Sequence, residues 1–360
     1  MEIVRDENMV AQKYISRPLL IDGCKFDLRI YAYVTSLNPL RIYLFDDGIV
    51  RFASSSYSDN LDSLSNQYIH LTNYSINKNA SLNQGSTNIG LKWSLRQLWN
   101  YLAEKGWDVP KVMERIVDLV IKTFIWQVSS LRKFTALLWC FELVDLIFIV
   151  LESGFCEPPM SQFVVKFTSL PSICHELFGF DVILDSDLKP WLVEVNISPS
   201  MQCNSPVDYT VKEPLITDVL NLSGIQVPPP NAFKSARKSI LQVSLYENLD
   251  CRFLDFRIKP RFHLLGDKDK IKSSLFLEKY LRTAVEVDPS ILSDLTPSDL
   301  RVLIDTEDEL DRRGRFQRVF PAPLSSKYLR YCDPPRYYNL LLDEWTRRFS
   351  EDRESGIFIE

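Results

Sequence analysis

Alternating hydrophobic and polar positions between residues 25 and 36 predict a strand that buries one face. In the stretch KFDLRIYAYVTS, the apolar side comprises Phe26, Leu28, Ile30 and Ala32. The other side comprises Lys25, Asp27, Arg29 and Tyr31. The triplets NPL, 38–40, and DDG, 46–48, flank RIYLF, so the pattern predicts a meander of antiparallel strands with a turn at each triplet.

Helical spacing and stop signals predict two helices after this meander. The first covers 93–105 and ends before Gly106, and the second covers 112–125. Strand patterns return in FGFDVILD and PWLVEVNI, and the DSDLK segment between them predicts a hairpin turn. Further along, Thr296-Pro297-Ser298-Asp299 predicts a capped helix that runs to Arg313.

Composition indicates a globular chain without an overall charge signature for nucleic acid or membranes. Of 360 residues, 46% are hydrophobic and 25% are charged, with 42 Lys and Arg against 47 Asp and Glu. The seven cysteines are odd in number and form no CxxC pair, and the three histidines are far apart. We therefore predict a reducing, cytosolic environment and no Cys/His metal site.

One apolar stretch, FTALLWCFELVDLIFIVL at 134–151, is long enough to suggest a membrane span. Glu142 and Asp145 lie near its centre, where an acidic residue costs about 2.5–3.5 kcal/mol on insertion scales. We therefore expect a buried helix or an inserted segment there, and no membrane partner.

Two polar residues interrupt the apolar strand PWLVEVNI on one face. Glu194 and Asn196 are two positions apart and therefore project together, and a hairpin would place Asp181 on the adjacent strand. Two carboxylates and an amide oxygen suit Mg²⁺, which completes its shell with waters and phosphates. The alternative from spacing alone is a solvated strand face with ordinary polar residues.

A second cluster comprises Lys25, Asp27 and Arg29, which share the polar face of the first strand. Two cations around an acid fit the neutralisation of phosphate, and the alternative is an exposed ladder of ion pairs. Arg51, after the DDG triplet, would join this face.

The stretch HLTNYS, 70–75, is dense in polar groups. Thr72 and Asn73 are candidates for contact with phosphate or metal-bound water, although Asn also simply forms turns. His70 is expected to be structural rather than a base. The chain contains neither a glycine-rich phosphate loop nor a nucleophile elbow, which argues against P-loop and Rossmann folds.

In this order, the motifs QKYI, KFDLR, HLTNYS, CHELFGFD and LKPWLVEVNISPS closely resemble the tubulin–tyrosine-ligase-like family of ATP-grasp ligases, best its glutamylating branch. The likeness covers nearly the whole chain apart from about 126–170. It implies an α+β fold: an ATP-grasp C-terminal lobe of mostly antiparallel sheet with flanking helices, then a helical C-terminal extension. We accordingly expect a partial ligase domain at 1–225, a basic linker at 226–290 and the extension at 291–360.

The resemblance implies a role for each matching position. The Mg²⁺ ligands would be Asp181, Glu194 and Asn196. The ATP-binding residues would be Gln12, Lys13, Tyr14, Ile15, Lys25, Asp27, Thr72 and Asn73. The catalytic cations around the γ-phosphate would be Arg29 and Arg51, and the glutamate-binding residues would be Arg51, Tyr74, Ser75 and Lys92.

The reaction implied by the resemblance is ATP-driven formation of an amide bond between L-glutamate and a glutamate side chain of tubulin. Its cofactor would be Mg²⁺ with ATP as co-substrate, its partners tubulin tails and microtubules, and its locations the cytoplasm, the cytoskeleton, the cilium and the basal body. The stretch between Lys234 and Lys272, rich in Lys and Arg, would steer the acidic tail. The alternative for that stretch is a solvated linker.

Two departures from the family pattern bear on activity. Only eleven residues precede QKYI, whereas the family places an earlier lobe there, so we expect the chain to be N-terminally incomplete. Residues 126–170 would be an atypical insert. The alternative function is therefore a tubulin-binding module without catalysis, and addition of glycine or tyrosine on the same scaffold is a third.

Overall fold

The computed structural model describes residues 14–60, 63, 65–74, 76–77, 91–135, 175–224, 266–283 and 287–351. The strands in these segments are β1 Leu20–Ile21, β2 Cys24–Leu37, β3 Leu40–Phe52, β4 Lys92–Ser94, β5 Glu176–Leu184, β6 Pro190–Ile197 and β7 Phe316–Phe320. They form one antiparallel sheet in the order β4–β3–β2–β5–β6, with β1 beside β2 and β7 beside β3. The predicted α+β fold with a mostly antiparallel sheet is thereby confirmed.

Helices flank this sheet, as expected. The α-helices of the described segments are α1 Gln67–His70, α2 Leu95–Glu104, α3 Val109–Thr135, α4 Pro206–Ser223, α5 Asp267–Thr283, α6 Pro297–Arg312 and α7 Tyr337–Phe349. Short 3₁₀ turns lie at Pro289–Leu292 and Ser326–Tyr331. The helix predicted at 112–125 is confirmed as the central part of α3.

The ends of two further helices follow the predicted signals. Ser94 and Gln97 form a capping box at the start of α2, and Gly106 follows the helix with φ 81°. Thr296 and Asp299 form the same arrangement at the start of α6. The sequence pattern therefore placed these helix ends within one or two residues.

The two faces of β2 pack against different partners. Phe26, Leu28 and Ile30 belong to the main core, which α2 and α3 cover. On the opposite face, Tyr31 and Tyr33 belong to a second buried cluster that includes residues of α4. The predicted alternation along β2 is confirmed, but both faces are buried rather than one, because α4 lies close to the face that carries the charged residues.

The turn predicted at the DDG triplet is wrong, because β3 continues through Asp46, Asp47 and Gly48 as a bulge. The buried Asp47 carboxylate accepts hydrogen bonds from the backbone N–H of Gly48 at 2.9 Å and of Arg96 at 3.3 Å. A Cβ at position 48 would lie 2.4 Å from the carbonyl oxygen of Arg29. Only glycine fits this close approach of β3 to β2.

The hairpin predicted between the two later strands is confirmed. Asp185 closes its turn, since Oδ1 accepts hydrogen bonds from the backbone N–H of Asp187 and of Lys189, each at 2.9 Å. Leu188 adopts a left-handed conformation with φ 56°. This turn fixes the register of β5 against β6 and therefore which side chains share a face.

The C-terminal region contributes directly to the sheet. β7 pairs with β3 on one side of the bulge, and β4 pairs with β3 on the other side. Glu309 of α6 joins Arg41 of β3 in a buried ion pair at 2.7 Å, and it accepts hydrogen bonds from Thr35 at 2.8 Å and Tyr43 at 3.0 Å. The expected boundaries at 225/226 and 290/291 stay predictions.

Two of the sequence predictions fall largely outside the described residues. The first is the insert predicted at 126–170, of which the part after residue 135 is not described, including most of the apolar stretch. The second is the basic stretch, of which the part up to residue 265 is not described. Of the helices that the structure describes, none combines the length and the apolar character needed to cross a bilayer.

We predict a pH-dependent gain of stability for Asp343→Asn in α7. Asp343 is buried and accepts a hydrogen bond from Ser326 at 2.9 Å, and burial, reinforced by the charge of Glu344, raises the pKa of Asp343 to about 6. Because this folded-state pKa lies above the unfolded value, wild-type stability falls as pH rises from about 4 to 6 and stays reduced above that. Urea unfolding should show the variant more stable by about 2 kcal/mol at pH 8. The difference should shrink toward zero near pH 4, and a pH-independent difference would contradict the assignment.

Candidate active site

A row of charged side chains crosses four strands on the face of the sheet that α4 approaches. Strand register pairs Asp27 of β2 with Arg51 of β3, and Arg29 of β2 with Asp181 of β5. It also pairs Asp181 with Glu194 of β6. These five residues are called the arginine–carboxylate row below.

The two arginines of the row are shared between its two aspartates. Arg29 donates to both oxygens of Asp181, from Nε at 2.5 Å and from Nη2 at 3.0 Å. Arg51 donates to both oxygens of Asp27, and its Nη2 also reaches Oδ2 of Asp181 at 2.8 Å. Both bidentate pairs are more than four-fifths buried, so the guanidinium groups are fixed in orientation.

Mutual neutralisation keeps these buried groups charged. Burial acts to raise the pKa of Asp181, but the hydrogen bond from Arg29 and the charges of Arg51 and Arg29 outweigh it and hold that pKa at about 2. Burial acts to lower the pKa of Arg51, and Asp27 and Asp181 reverse the effect and raise it. The row therefore presents two permanent cations at a site with little access to water.

Asn196 adjoins the row at Asp181 and Glu194, so the predicted convergence of these three residues is confirmed. The Asn196 amide donates to Glu194 at 2.9 Å and reaches Asp181 at 3.4 Å. Burial, and then the proximity of Asp181, raise the pKa of Glu194. Their role as metal ligands stays a prediction.

The chemistry of this donor set fits a hard divalent cation. Asp181 and Glu194 are crowded enough that each perturbs the other, and a cation between them would relieve that repulsion. Within the described segments, no group of three or more His, Cys, Asp or Glu side chains is arranged to hold a metal ion. The third donor would be the amide oxygen of Asn196, in place of the Nδ2 that now contacts the two carboxylates, and Mg²⁺ commonly keeps waters and phosphate oxygens in the remaining positions.

Lys25 lies at the end of the same face of β2, beside Tyr14. Its ammonium is 4.7 Å from the centroid of the Tyr14 ring and donates to the Tyr14 hydroxyl at 3.4 Å. Burial lowers the pKa of Lys25, with Asp27 opposing that effect. The Tyr14 hydroxyl also bonds Nδ1 of His70 at 2.9 Å, so His70 supports this corner of the site, in line with its expected structural role.

The loop that carries Thr72 and Asn73 is anchored by a residue that sequence reasoning missed. Asn77 is fully buried, and its Oδ1 accepts from the backbone N–H of Ser54 at 3.0 Å. Its Nδ2 donates to the carbonyl oxygens of Leu71 at 2.8 Å and Asn73 at 3.1 Å. Thr72 is buried and the side chain of Asn73 is exposed. No sequence signal separates Asn77 from an ordinary polar loop residue.

Lys92 contacts Tyr74, and both are predicted glutamate-binding residues. The ion-pair partner of Lys92 was not predicted. Its ammonium lies 3.9 Å from the centroid of the Tyr74 ring and 2.6 Å from Oδ2 of Asp208 in α4. A signal for Asp208 exists in the sequence. Ser205-Pro206-Val207-Asp208 repeats the pattern of a capping hydroxyl, a proline and an acid that marks the start of α6.

The structure thus brings together most of the predicted residues. Ile15 is half-buried in the segment before β1. Gln12, Lys13 and Ser75 lie outside the described residues.

We predict that Asn77→Ala lowers the free energy of unfolding by about 2–3 kcal/mol, because it leaves buried backbone groups at both ends of the loop without their partner. Asn73→Ala is the matched control: it changes the same residue type in the same loop at an exposed position, and it should stay within about 0.5 kcal/mol. Urea denaturation measures both. Equal effects of the two variants would show that Asn77 does not anchor the loop.

Comparisons with known proteins agree with the motifs that led to this site. The model of the tubulin-tyrosine ligase family matches residues 1–153 and 157–235. The chain is 40% identical over 354 residues to tubulin monoglutamylase TTLL4 of Mus musculus, covering 97% of this chain and 27% of that protein. It is 39% identical over 349 residues to tubulin polyglutamylase ttll-4 of Caenorhabditis elegans, covering 97% and 50%.

A more distant relative is tubulin polyglutamylase TTLL5 of Homo sapiens, 34% identical over 327 residues, covering 89% of this chain and 23% of that protein. The chain therefore spans between about a quarter and a half of the length of the curated relatives it matches. The matches to the family model and to these relatives confirm the resemblance stated from the motifs: the chain belongs to the tubulin-tyrosine ligase family.

Proposed function

We propose that this chain carries the catalytic centre of an ATP-dependent ligase that adds L-glutamate to glutamate side chains in the acidic tails of tubulin. The observation that carries the proposal is the arginine–carboxylate row, with two permanent cations fixed beside a pair of crowded carboxylates. Relatives that share 38–40% identity with the chain are named tubulin monoglutamylase or polyglutamylase, which supports the same donor and target.

In this proposal Asp181, Glu194 and Asn196 hold Mg²⁺. When bound, the cation neutralises charge on the phosphate oxygens of the nucleotide. Asp181 has a second task, because it also orients Arg29 and Arg51. Glu194 is the ligand with the least compensation from the arginines, so its charge depends most on the cation.

Arg29 and Arg51 stabilise the negative charge that develops during the reaction. Their guanidinium groups are held by Asp181 and Asp27 before substrate arrives, so no reorganisation is needed in the charged transition state. Because the groups are mostly buried, their fields are screened less than those of surface charges.

The nucleotide and the amino acid would bind on either side of this row. Lys25, Asp27, Tyr14, Ile15, Thr72 and Asn73, together with Gln12 and Lys13, would contact ATP. Tyr74, Ser75 and Lys92, together with Arg51, would contact glutamate. Support for this division comes from two separate contacts: Lys25 packs on Tyr14 two residues before Asp27 on β2, and Lys92 packs on Tyr74 on β4, beside Arg51.

The proposed chemistry proceeds in two steps. A side-chain carboxylate oxygen of the acceptor attacks the γ-phosphorus of ATP, the bond to the β,γ-bridging oxygen breaks, and ADP leaves with an acyl phosphate formed on the acceptor. The α-amine of free glutamate then attacks the acyl carbon, and inorganic phosphate leaves as the amide bond forms. The enzyme needs no nucleophile of its own. Because its proposed target is tubulin, it would act at microtubules, including those of the cilium and basal body.

The first prediction of this proposal concerns ligand binding by the chain. Mg²⁺ with ATP should raise the melting temperature, because a ligand that binds the folded state stabilises it by mass action, by about 2.7 kcal/mol at a hundred times its Kd. ATP with excess EDTA should give a much smaller shift. Absence of any Mg²⁺-dependent shift would rule out nucleotide binding by this chain and favour the non-catalytic tubulin-binding alternative.

The second prediction concerns Glu194→Gln. The variant should lose incorporation of labelled glutamate into tubulin, while its melting temperature without ligand is unchanged or higher, because burial already disfavours the charge of Glu194. Glu176→Gln on β5 is the matched control, since Glu176 lies at the far end of the strand and bonds Ser198 instead. Full activity of Glu194→Gln, or equal loss in the control, would refute the assigned role.

A further inference from the structure

Three buried charged side chains form a cluster beside the arginine–carboxylate row. Lys92 of β4 and Lys212 of α4 approach Asp208 from opposite sides, at 2.6 Å to Oδ2 and 3.2 Å to Oδ1. The side chain of Asp208 is 1% exposed, and those of the two lysines are each 8% exposed. Two cations with one anion leave excess positive charge in a place nearly closed to water.

Asp208 is a fixed anion. Its Oδ2 accepts hydrogen bonds from the backbone N–H of Asn204 at 3.1 Å and from the Ser205 hydroxyl at 2.7 Å. Burial acts to raise its pKa, but the bonds from Lys92 and Ser205 and the charges of both lysines lower it. The carboxylate therefore stays ionised and cannot turn away from Lys92 without losing its contacts at the start of α4.

Lys92 depends on this anchor for its position. A lysine ammonium ends a flexible stem of four carbons, so its location is set by what it touches. Here the Tyr74 ring lies 3.9 Å from the ammonium on one side, and Asp208 receives it on another. Register places the Lys92 backbone opposite Arg51, so the fixed ammonium lies next to the end of the row.

The ion pair with Asp208 does not cancel the positive charge of Lys92, because Asp208 also forms an ion pair with Lys212. Lys212 in turn donates to the carbonyl oxygen of Gln202 at 2.6 Å, which ties it to the segment before α4. Lys92 is then the member of the cluster that adjoins the row, and an ammonium with surplus positive surroundings attracts a carboxylate. L-glutamate, the proposed substrate, carries an α-carboxylate and a side-chain carboxylate, either of which could pair with this ammonium.

We propose that Asp208 is a positioning residue that holds the Lys92 ammonium where it receives a carboxylate of the incoming amino acid. This inference rests on the proposed function and adds a residue to it. Asp208 does not touch the substrate, and its effect reaches the substrate through Lys92. A purely structural role, in which Asp208 only supports the start of α4, gives a different result in the experiment below.

The experiment compares Asp208→Asn, Lys92→Met, the double variant and Ser205→Ala in the 360-residue chain, with tubulin, Mg²⁺, ATP and labelled L-glutamate. Asp208→Asn keeps the size and one accepting oxygen of the side chain but removes the charge. It should raise KM for glutamate about tenfold or more while KM for ATP changes less than about twofold. Ser205→Ala removes the N-cap hydroxyl of the same helix and one hydrogen bond to Asp208, but it keeps the charge of Asp208 and its ion pair with Lys92, so it should raise KM for glutamate much less than Asp208→Asn does.

The double variant decides between positioning and structural support. If Asp208 acts through Lys92, Lys92→Met raises KM for glutamate by a similar factor, and adding Asp208→Asn to it has no further effect. The inference is overturned if the effects of Asp208→Asn and Lys92→Met on KM for glutamate multiply, if Ser205→Ala raises that KM as much as Asp208→Asn does, or if the KM values for glutamate and ATP change in parallel. Each of these outcomes leaves the proposed function intact. Failure of the wild-type chain to incorporate glutamate would overturn the proposed function itself, and this inference with it.

Discussion

The sharing of two arginines by two buried aspartates across neighbouring strands is the constraint on which this site depends. Arg51 bridges Asp27 and Asp181, and Arg29 occupies the rest of Asp181. Loss of Asp181 would leave the buried Arg29 guanidinium without its carboxylate partner, a change that typically costs about 3–5 kcal/mol. The charge of each of these residues therefore depends on its neighbours.

This network demands a strict strand register. A slip of one residue in β2 would carry Asp27 and Arg29 to the opposite face, into the main core. Irregularities on both sides of the row maintain the match: the bulge at Gly48 in β3, and a register shift next to Asp181 in the pairing of β5 with β6. Bulges often lie next to active sites because they re-aim side chains without breaking the sheet.

The sequence was informative wherever local chemistry decided the structure. Strict alternation predicted both faces of β2, and the spacing of Glu194 and Asn196 predicted their shared face. Gly106 predicted the end of α2, and the stretch from Thr296 to Asp299 predicted the start of α6. Long-range contacts explain what was missed. Asp46-Asp47-Gly48 has the composition of a turn, and only the approach of β2 and the contact with Arg96 make it a bulge.

Asp208 is a second residue whose long-range contact could not be predicted from the local sequence. Its capping pattern marks a helix start, but the partner on β4 lies more than a hundred residues away in the chain. No local pattern indicates which cation a capping acid will meet. The resemblance to the family implies a glutamate-binding role for Lys92, but it does not indicate the carboxylate that fixes the position of its ammonium.

The division of β3 by its bulge separates support from chemistry. On one side of the bulge, β7 and the Arg41–Glu309 pair tie the strand to the C-terminal region. The side-chain amide of Asn339 in α7 binds the backbone of Leu40 as a neighbouring strand would. Its Oδ1 accepts from the Leu40 N–H and its Nδ2 donates to the Leu40 carbonyl oxygen, each at 3.0 Å. On the other side, β3 carries Arg51 and pairs with β4, which carries Lys92. The C-terminal region therefore contacts the half of the strand that has no role in the proposed reaction, and the half with Arg51 is held by β4 and by the ion pairs of the row.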